Sequence, residues 1–263
     1  MIPLSARRRG TAATLAVVAL AVSAACSSTG STSAVAASAV PSAAGTSGNT
    51  QAACAAEVAI NGTDFPGIDP DAPAPSAQEL KDFAARIRPT AQSLRSNVPT
   101  QLVSQADVLM SVVDRASQGR AFDPEGSGLL AAGRDIDAWM FDHCGYRKLE
   151  VTSNDGIFIG LPASVPAGPV AIRFTSRGSA EKSAFVLLFG QVRAGSTATA
   201  RDIASGQANL EDVADIRAVA QPTSDQPAYT VRNLPAGSYI VSSPLGTPPN
   251  FDGGTAAVAF RVS

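Results

Sequence analysis

At Gly145 the hydrophobic period of the chain changes, and this change limits the fold more than any other feature. Before it, apolar residues recur every three or four positions; after it, they alternate in short runs broken by Gly and Pro. One period places apolar side chains along a helix face and the other along a strand face, so neither segment can take the other's structure. A helical part followed by a strand-rich part is required. Ser76, with Glu79 three residues on, has the form of a capping box, and Leu80, Phe83, Ala84 and Ile87 follow at helical spacing until Pro89, which is expected to end or kink the helix. A second helix begins near Pro99, carries Leu102, Val103, Ala106, Leu109, Met110, Val113 and Ala116, and stops at Gly119. The third spans about Gly128 to His143, with Leu129, Ala132, Ile136, Trp139 and Met140 inward, and Gly145 closes it. Three amphipathic helices predict a small antiparallel bundle, with Asn61 to Pro75 as an extended lead-in.

Seven strands are expected after Gly145: Lys148 to Ser153, Ile157 to Gly160, Val170 to Thr175, Ser183 to Gly190, Tyr229 to Leu234, Ser238 to Ser243 and Ala256 to Val262. That number of short strands predicts a sandwich or barrel. Between the fourth and fifth, residues 198 to 220 read as a covering excursion with short helices at Ala200 to Ala204 and Leu210 to Ile216. The fold class is α+β.

The first residues read as an address. Arg7, Arg8 and Arg9 precede an uncharged run from Thr11 to Ala25, shorter than the roughly 20 apolar residues that span a bilayer, so residues 1 to 25 are expected to be a secretory signal. Ser23-Ala24-Ala25 before Cys26 resembles the lipobox of bacterial lipoproteins, in which the cysteine is acylated and becomes the mature N-terminus. Ala19-Leu20-Ala21 equally fits ordinary cleavage after Ala21. Residues 27 to 50 are almost wholly small and carry no charge, which gives residues 26 to 50 the composition of a flexible tether to the folded sequence. Acylation of Cys26 would leave Cys54 and Cys144 as an even pair in an oxidising compartment, where a disulfide is expected. The helical domain then covers 51 to 146 and the strand-rich domain 147 to 263.

Charge and composition remove several functions. Lys plus Arg number 20 and Asp plus Glu 22; loss of residues 1 to 25 removes three Arg and no acid, so the net charge moves from -2 to -5. That balance argues against nucleic acid and against charge-driven binding to anionic lipid. A single histidine, His143, and three cysteines remove most metal centres and most His-dependent catalysis. His143 itself lies at a helix C-terminus, where a cap contact is the expected role.

The strand-rich half resembles a known family. Leu161-Pro-Ala-Ser-Val-Pro-Ala-Gly-Pro-Val-Ala-Ile-Arg-Phe-Thr-Ser-Arg-Gly and Leu234-Pro-Ala-Gly-Ser-Tyr-Ile-Val look like the framework of cupredoxin-like domains over about Leu149 to Ser263. Asp137-Ala-Trp-Met-Phe-Asp-His-Cys-Gly is similar to the helical segment that precedes such a domain in some exported bacterial proteins. The resemblance implies a Greek-key β-sandwich after the bundle. It does not bring copper chemistry, which needs two imidazoles, a thiolate and a weak axial Met. Ser183-Ala184-Phe185 stands where the family's first His is expected, and residues 242 to 254, with Pro249 where some relatives have His, stand where Cys, His and Met close the site.

No G-x-S-x-G elbow, phosphate loop or H-E-x-x-H occurs, so no enzyme, catalytic residue, metal site or cofactor is expected. The expected function is that of a non-catalytic envelope lipoprotein, a binding or scaffolding module. It would sit on the extracytoplasmic side of the cell membrane through its lipid, with an envelope protein or small ligand as partner. An accessory role in metal or redox handling, working through a partner's ligands, is the alternative.

Overall fold

The computed structural model describes residues 49–68, 73–223, 226–248 and 251–263. Cys26, the expected signal and nearly all of the expected tether lie outside the described residues, as do Pro249 and Asn250. The chain is a mixed helix-and-sheet fold, in which a layer of helices precedes two sheets.

Four helices form the layer: α1 (Thr50–Asn61), α2 (Ala77–Asn97), α3 (Val103–Ser117) and α4 (Leu129–His143). Helix α1 is one more than the hydrophobic pattern predicts. Asn49 caps it, accepting from the Ala52 amide at 3.1 Å, and its alanines favour the helical state. Its buried face consists of Ala53, Cys54, Ala56, Glu57 and Ile60, small residues and an acid that give no amphipathic signature. Ser76 and Glu79 form the expected capping box at α2. The helix continues past Pro89 to Asn97 and is not ended by it. Pro89 and Ala85, whose carbonyl loses its partner, are both exposed, and Ala91 and Leu94 beyond the proline are fully buried. Packing of that second half offsets a break that costs about 3 kcal/mol in a helix interior. The helices pack α1 on α2, α2 on α3 and α3 on α4 around Leu80, Phe83, Leu94, Val113 and Met140. None of the described helices is long and apolar enough to cross a membrane.

Nine strands are present among the described residues, against seven expected: β1 (Arg147–Asn154), β2 (Ile157–Ile159), β3 (Ser164–Val165), β4 (Gly168–Arg177), β5 (Leu187–Val192), β6 (Ala214–Ala220), β7 (Ala228–Leu234), β8 (Gly237–Pro244) and β9 (Thr255–Val262). They make sheets of order β2-β1-β4-β7 and β3-β9-β8-β5-β6. Each mixes parallel and antiparallel neighbours, β1 with β4 and β3 with β9 being the parallel pairs. Both sheets contribute to one core that contains Leu149, Ile172, Phe174, Leu187, Phe189, Val241 and Phe260.

The two unexpected strands have physical causes. β3 is two residues long, too short to show alternation. β6 follows the short helix α6 (Leu210–Val213) without a turn residue, so its first residues read as more helix. Opposite it, the β5 register shifts at Gly190, where an added Cβ would lie 2.8 Å from Leu210 and 2.9 Å from Ala214. Glycine is what lets α6 sit on the sheet. With Ile203 of α5 (Ala200–Ala204) and Ile240, Leu210 and Ala214 form a small outer cluster, so the excursion does cover the sheet.

Candidate functional site

The helical layer meets the first sheet at the free edge of β7. Ala171 of β4 and Val231 of β7 belong to the helical core, and Phe141 of α4 packs edge-on against Tyr229 with ring centroids 5.5 Å apart. An edge strand leaves alternate amide and carbonyl groups without a strand partner, and when buried they need another. Two side chains supply it here. Asp137 Oδ1 accepts from the Val231 amide at 3.3 Å, and Asn61 Nδ2 donates to the Val231 carbonyl at 3.1 Å and to Asp137 Oδ1 at 2.8 Å. The three residues form a closed set in which two helices stand in for a missing strand.

Charge is concentrated around this set. Glu57, one helical turn before Asn61 on α1, is only 3% exposed, and Asp137 is 6% exposed. Arg232 follows Val231 and brings a half-buried guanidinium whose Nε is buried. Burial pushes the Asp137 carboxyl up to about 7, while the Asn61 bond, the Arg232 charge and the Val231 amide act in the opposite direction. Glu57 is raised well above the usual carboxylate range, first by burial and then by the charge of Asp137, with Arg232 opposing. Burial lowers Arg232 from its usual value, and Asp137, Glu57 and Asp64 oppose that. Glu57 Oε2 and Arg232 Nε are buried without a hydrogen-bond partner among the described residues.

The disulfide lies beside this cluster. Cys54 of α1 is joined to Cys144, the C-cap of α4, with Cα atoms 5.7 Å apart, as the cysteine count predicts. It ties together the two helices that carry Glu57, Asn61 and Asp137. His143 stacks on Trp139 with centroids 4.3 Å apart and donates through Nδ1 to the Trp139 carbonyl at 2.7 Å, a contact within the last helical turn.

Ser183 and the described residues between 242 and 254 are held together by hydrogen bonds and packing. Ser183 and Ser176 hydroxyls bond each other at 3.0 Å, and Ser176 also accepts from the Ala184 amide at 2.8 Å. The Gly246 amide donates to the Ser183 carbonyl at 2.8 Å, and the Leu245 amide to the Gly254 carbonyl at 2.9 Å. Leu245 is 5% exposed and belongs to the sandwich core. Phe185 and Phe251 close over the outside with centroids 5.3 Å apart. Met140 lies in the helical core and the half-buried Met110 packs against it.

Sequence reasoning found the cysteine pair and missed Glu57, Asp137 and Arg232. A trace was present: Glu57 is the one charge in the run from Ala52 to Ile60, and Asp137 interrupts an apolar helix face between Ile136 and Met140.

The fold and this seam define a class only: a disulfide-tied helical layer sealed by buried charge onto a two-sheet core. The chain matches no protein-family model and no curated protein. Among solved structures it is similar to auracyanin B, at 15% identity and a TM-score of 0.31, over 44% of this chain and 88% of that one.

Proposed function

We propose that this chain is a non-catalytic module of the cell envelope, exported by its first 25 residues and held at the extracytoplasmic membrane face by lipid on Cys26. Its helices act as an antiparallel bundle and its strands as a cupredoxin-like Greek-key sandwich that has exchanged metal ligands for packing. The closed sandwich end carries this reading: Leu245, the Ser176 and Ser183 hydroxyls and the Phe185 and Phe251 rings occupy the place where a ligand set would be built. The Cys54 to Cys144 disulfide supports export, since such bridges persist in oxidising compartments. Binding or scaffolding needs none of the side chains this sequence lacks, and the partner is an envelope protein or a small ligand.

Two measurements test the proposal. Cys26→Ala should move the protein from the membrane fraction to the soluble fraction, and retention in membranes would refute the lipid anchor. Purified mature protein should contain no stoichiometric copper by elemental analysis and should develop no intense visible band on titration with Cu(II). Near-stoichiometric copper would instead favour the accessory role in metal or redox handling.

A further inference from the structure

The buried seam holds more acid than base. From α1 come Glu57 and the neutral Asn61, from α4 Asp137, and from β7 Arg232 with Tyr229, which packs on Phe141. Asp64, after α1, is exposed and acts on Arg232, while β4 presents the uncharged Ala171 and, over the Phe141 ring, the guanidinium of Arg173, which pairs with Glu150. Cys54 is bridged and does not titrate. Two buried carboxyls therefore face one guanidinium. If both ionise, a net negative charge is left on two buried carboxyls, and Glu57 Oε2 has no hydrogen-bond donor among the described residues.

We propose that the seam is a proton-dependent latch: a single proton held by the Glu57 and Asp137 pair keeps α1 and α4 docked on the β7 edge, and its loss in mildly alkaline solution loosens them. With the proton in place the cluster is neutral, one carboxylate opposite one guanidinium. Without it, the like charges of Glu57 and Asp137 repel across the very contact that satisfies Val231.

The sign follows from linkage. Both carboxyls are raised in the folded chain, so the folded state binds protons more tightly than the unfolded one. Their contribution is complete at acidic pH and is lost as pH rises through the folded values. The movement is local to the β7 edge, and β8, which lies between β9 and β5 in the other sheet, serves as the reference.

Hydrogen exchange on the intact, oxidised protein tests the latch, with each amide's rate divided by its intrinsic rate at that pH. Between about pH 6 and pH 9 the Val231 amide should lose protection by about tenfold or more, and Val241 in β8 should change by less than about threefold. Glu57→Gln leaves one acid opposite one Arg and should hold Val231 protection flat. Flat protection in the wild type, or an equal fall in Glu57→Gln, overturns the proposal. If Glu57→Gln does not fold, Asp137→Asn takes its place, since its amide oxygen still accepts from Val231, and the same two outcomes apply. Should neither variant fold, the wild-type contrast between Val231 and Val241 decides.

Discussion

Removing the disulfide tests how the helical layer is held. Cys54→Ala with Cys144→Ala deletes the link without leaving a thiol, and the residues it joins are 90 apart in sequence. Cross-linking a loop of that length restricts the unfolded chain by an amount that the loop-entropy relation sets at about 4.6 kcal/mol at 25 °C, and measured bridges deliver that or less. Cys54 is buried, so the alanine also leaves a small void that adds to the loss. A total of about 3 to 5 kcal/mol, in a chain of this size, lowers Tm by roughly 6 to 20 °C. Thermal melts of the oxidised protein and the double variant, followed by circular dichroism at 222 nm, measure it. The loss should appear first in the helical signal, because the bridge joins α1 to α4. A double variant that melts within about 2 °C of the wild type would show that the bridge does not restrain the unfolded chain as argued.

Three further outcomes follow from the same geometry. Pro89→Ala should stabilise the protein by about 1 to 3 kcal/mol in urea unfolding, since it restores the hydrogen bond to Ala85 in a helix that already continues to Asn97. Gly190→Ala should destabilise by about 1 to 3 kcal/mol, because the new methyl meets Leu210 and Ala214 at less than contact distance and forces α6 off the sheet. The urea midpoint should fall as pH rises from about 5 to 8, by up to about 2.5 kcal/mol in free energy for a carboxyl moved from 3.8 to about 7, and Asp137→Asn should flatten that dependence.

What was legible in the sequence is what periodicity and parity record. Leu80, Phe83, Ala84 and Ile87 lie on one buried face because helical spacing puts them there. Cys54 and Cys144 are bridged, the pairing that the cysteine count predicts once Cys26 is set aside. The pattern failed where tertiary contact outweighs it. Helix α1 buries alanines and an acid, so its inner face is not apolar enough to be seen. Pro89 is tolerated because Ala91 and Leu94 are buried beyond it, which no local rule can register. The seam is illegible for a related reason: Asn61 and Asp137 are 76 residues apart, and Asp137 and Val231 are 94 apart, so nothing local brings them together.

The composition of the seam answers to the edge it covers. A leucine at position 137 would bury more apolar surface than Asp137 does, yet it would leave the Val231 amide without an acceptor and Asn61 Nδ2 with only the Val231 carbonyl. Each lost partner costs about 1 to 3 kcal/mol in a buried setting, as much as the leucine would return. A polar side chain on a helix is therefore a sound way to finish an open strand, and Asp137 and Asn61 do it as a mutually bonded pair. Charge on Asp137 then requires Arg232, and burial of Glu57 in the same place makes the cluster one base short. That shortfall gives the contact its dependence on a proton. The disulfide joins the same two helices, so a loosened seam stays tethered beside β7 instead of unfolding away from it. An apolar seam of equal area would lack both properties, holding the layers together at every pH and needing no tether.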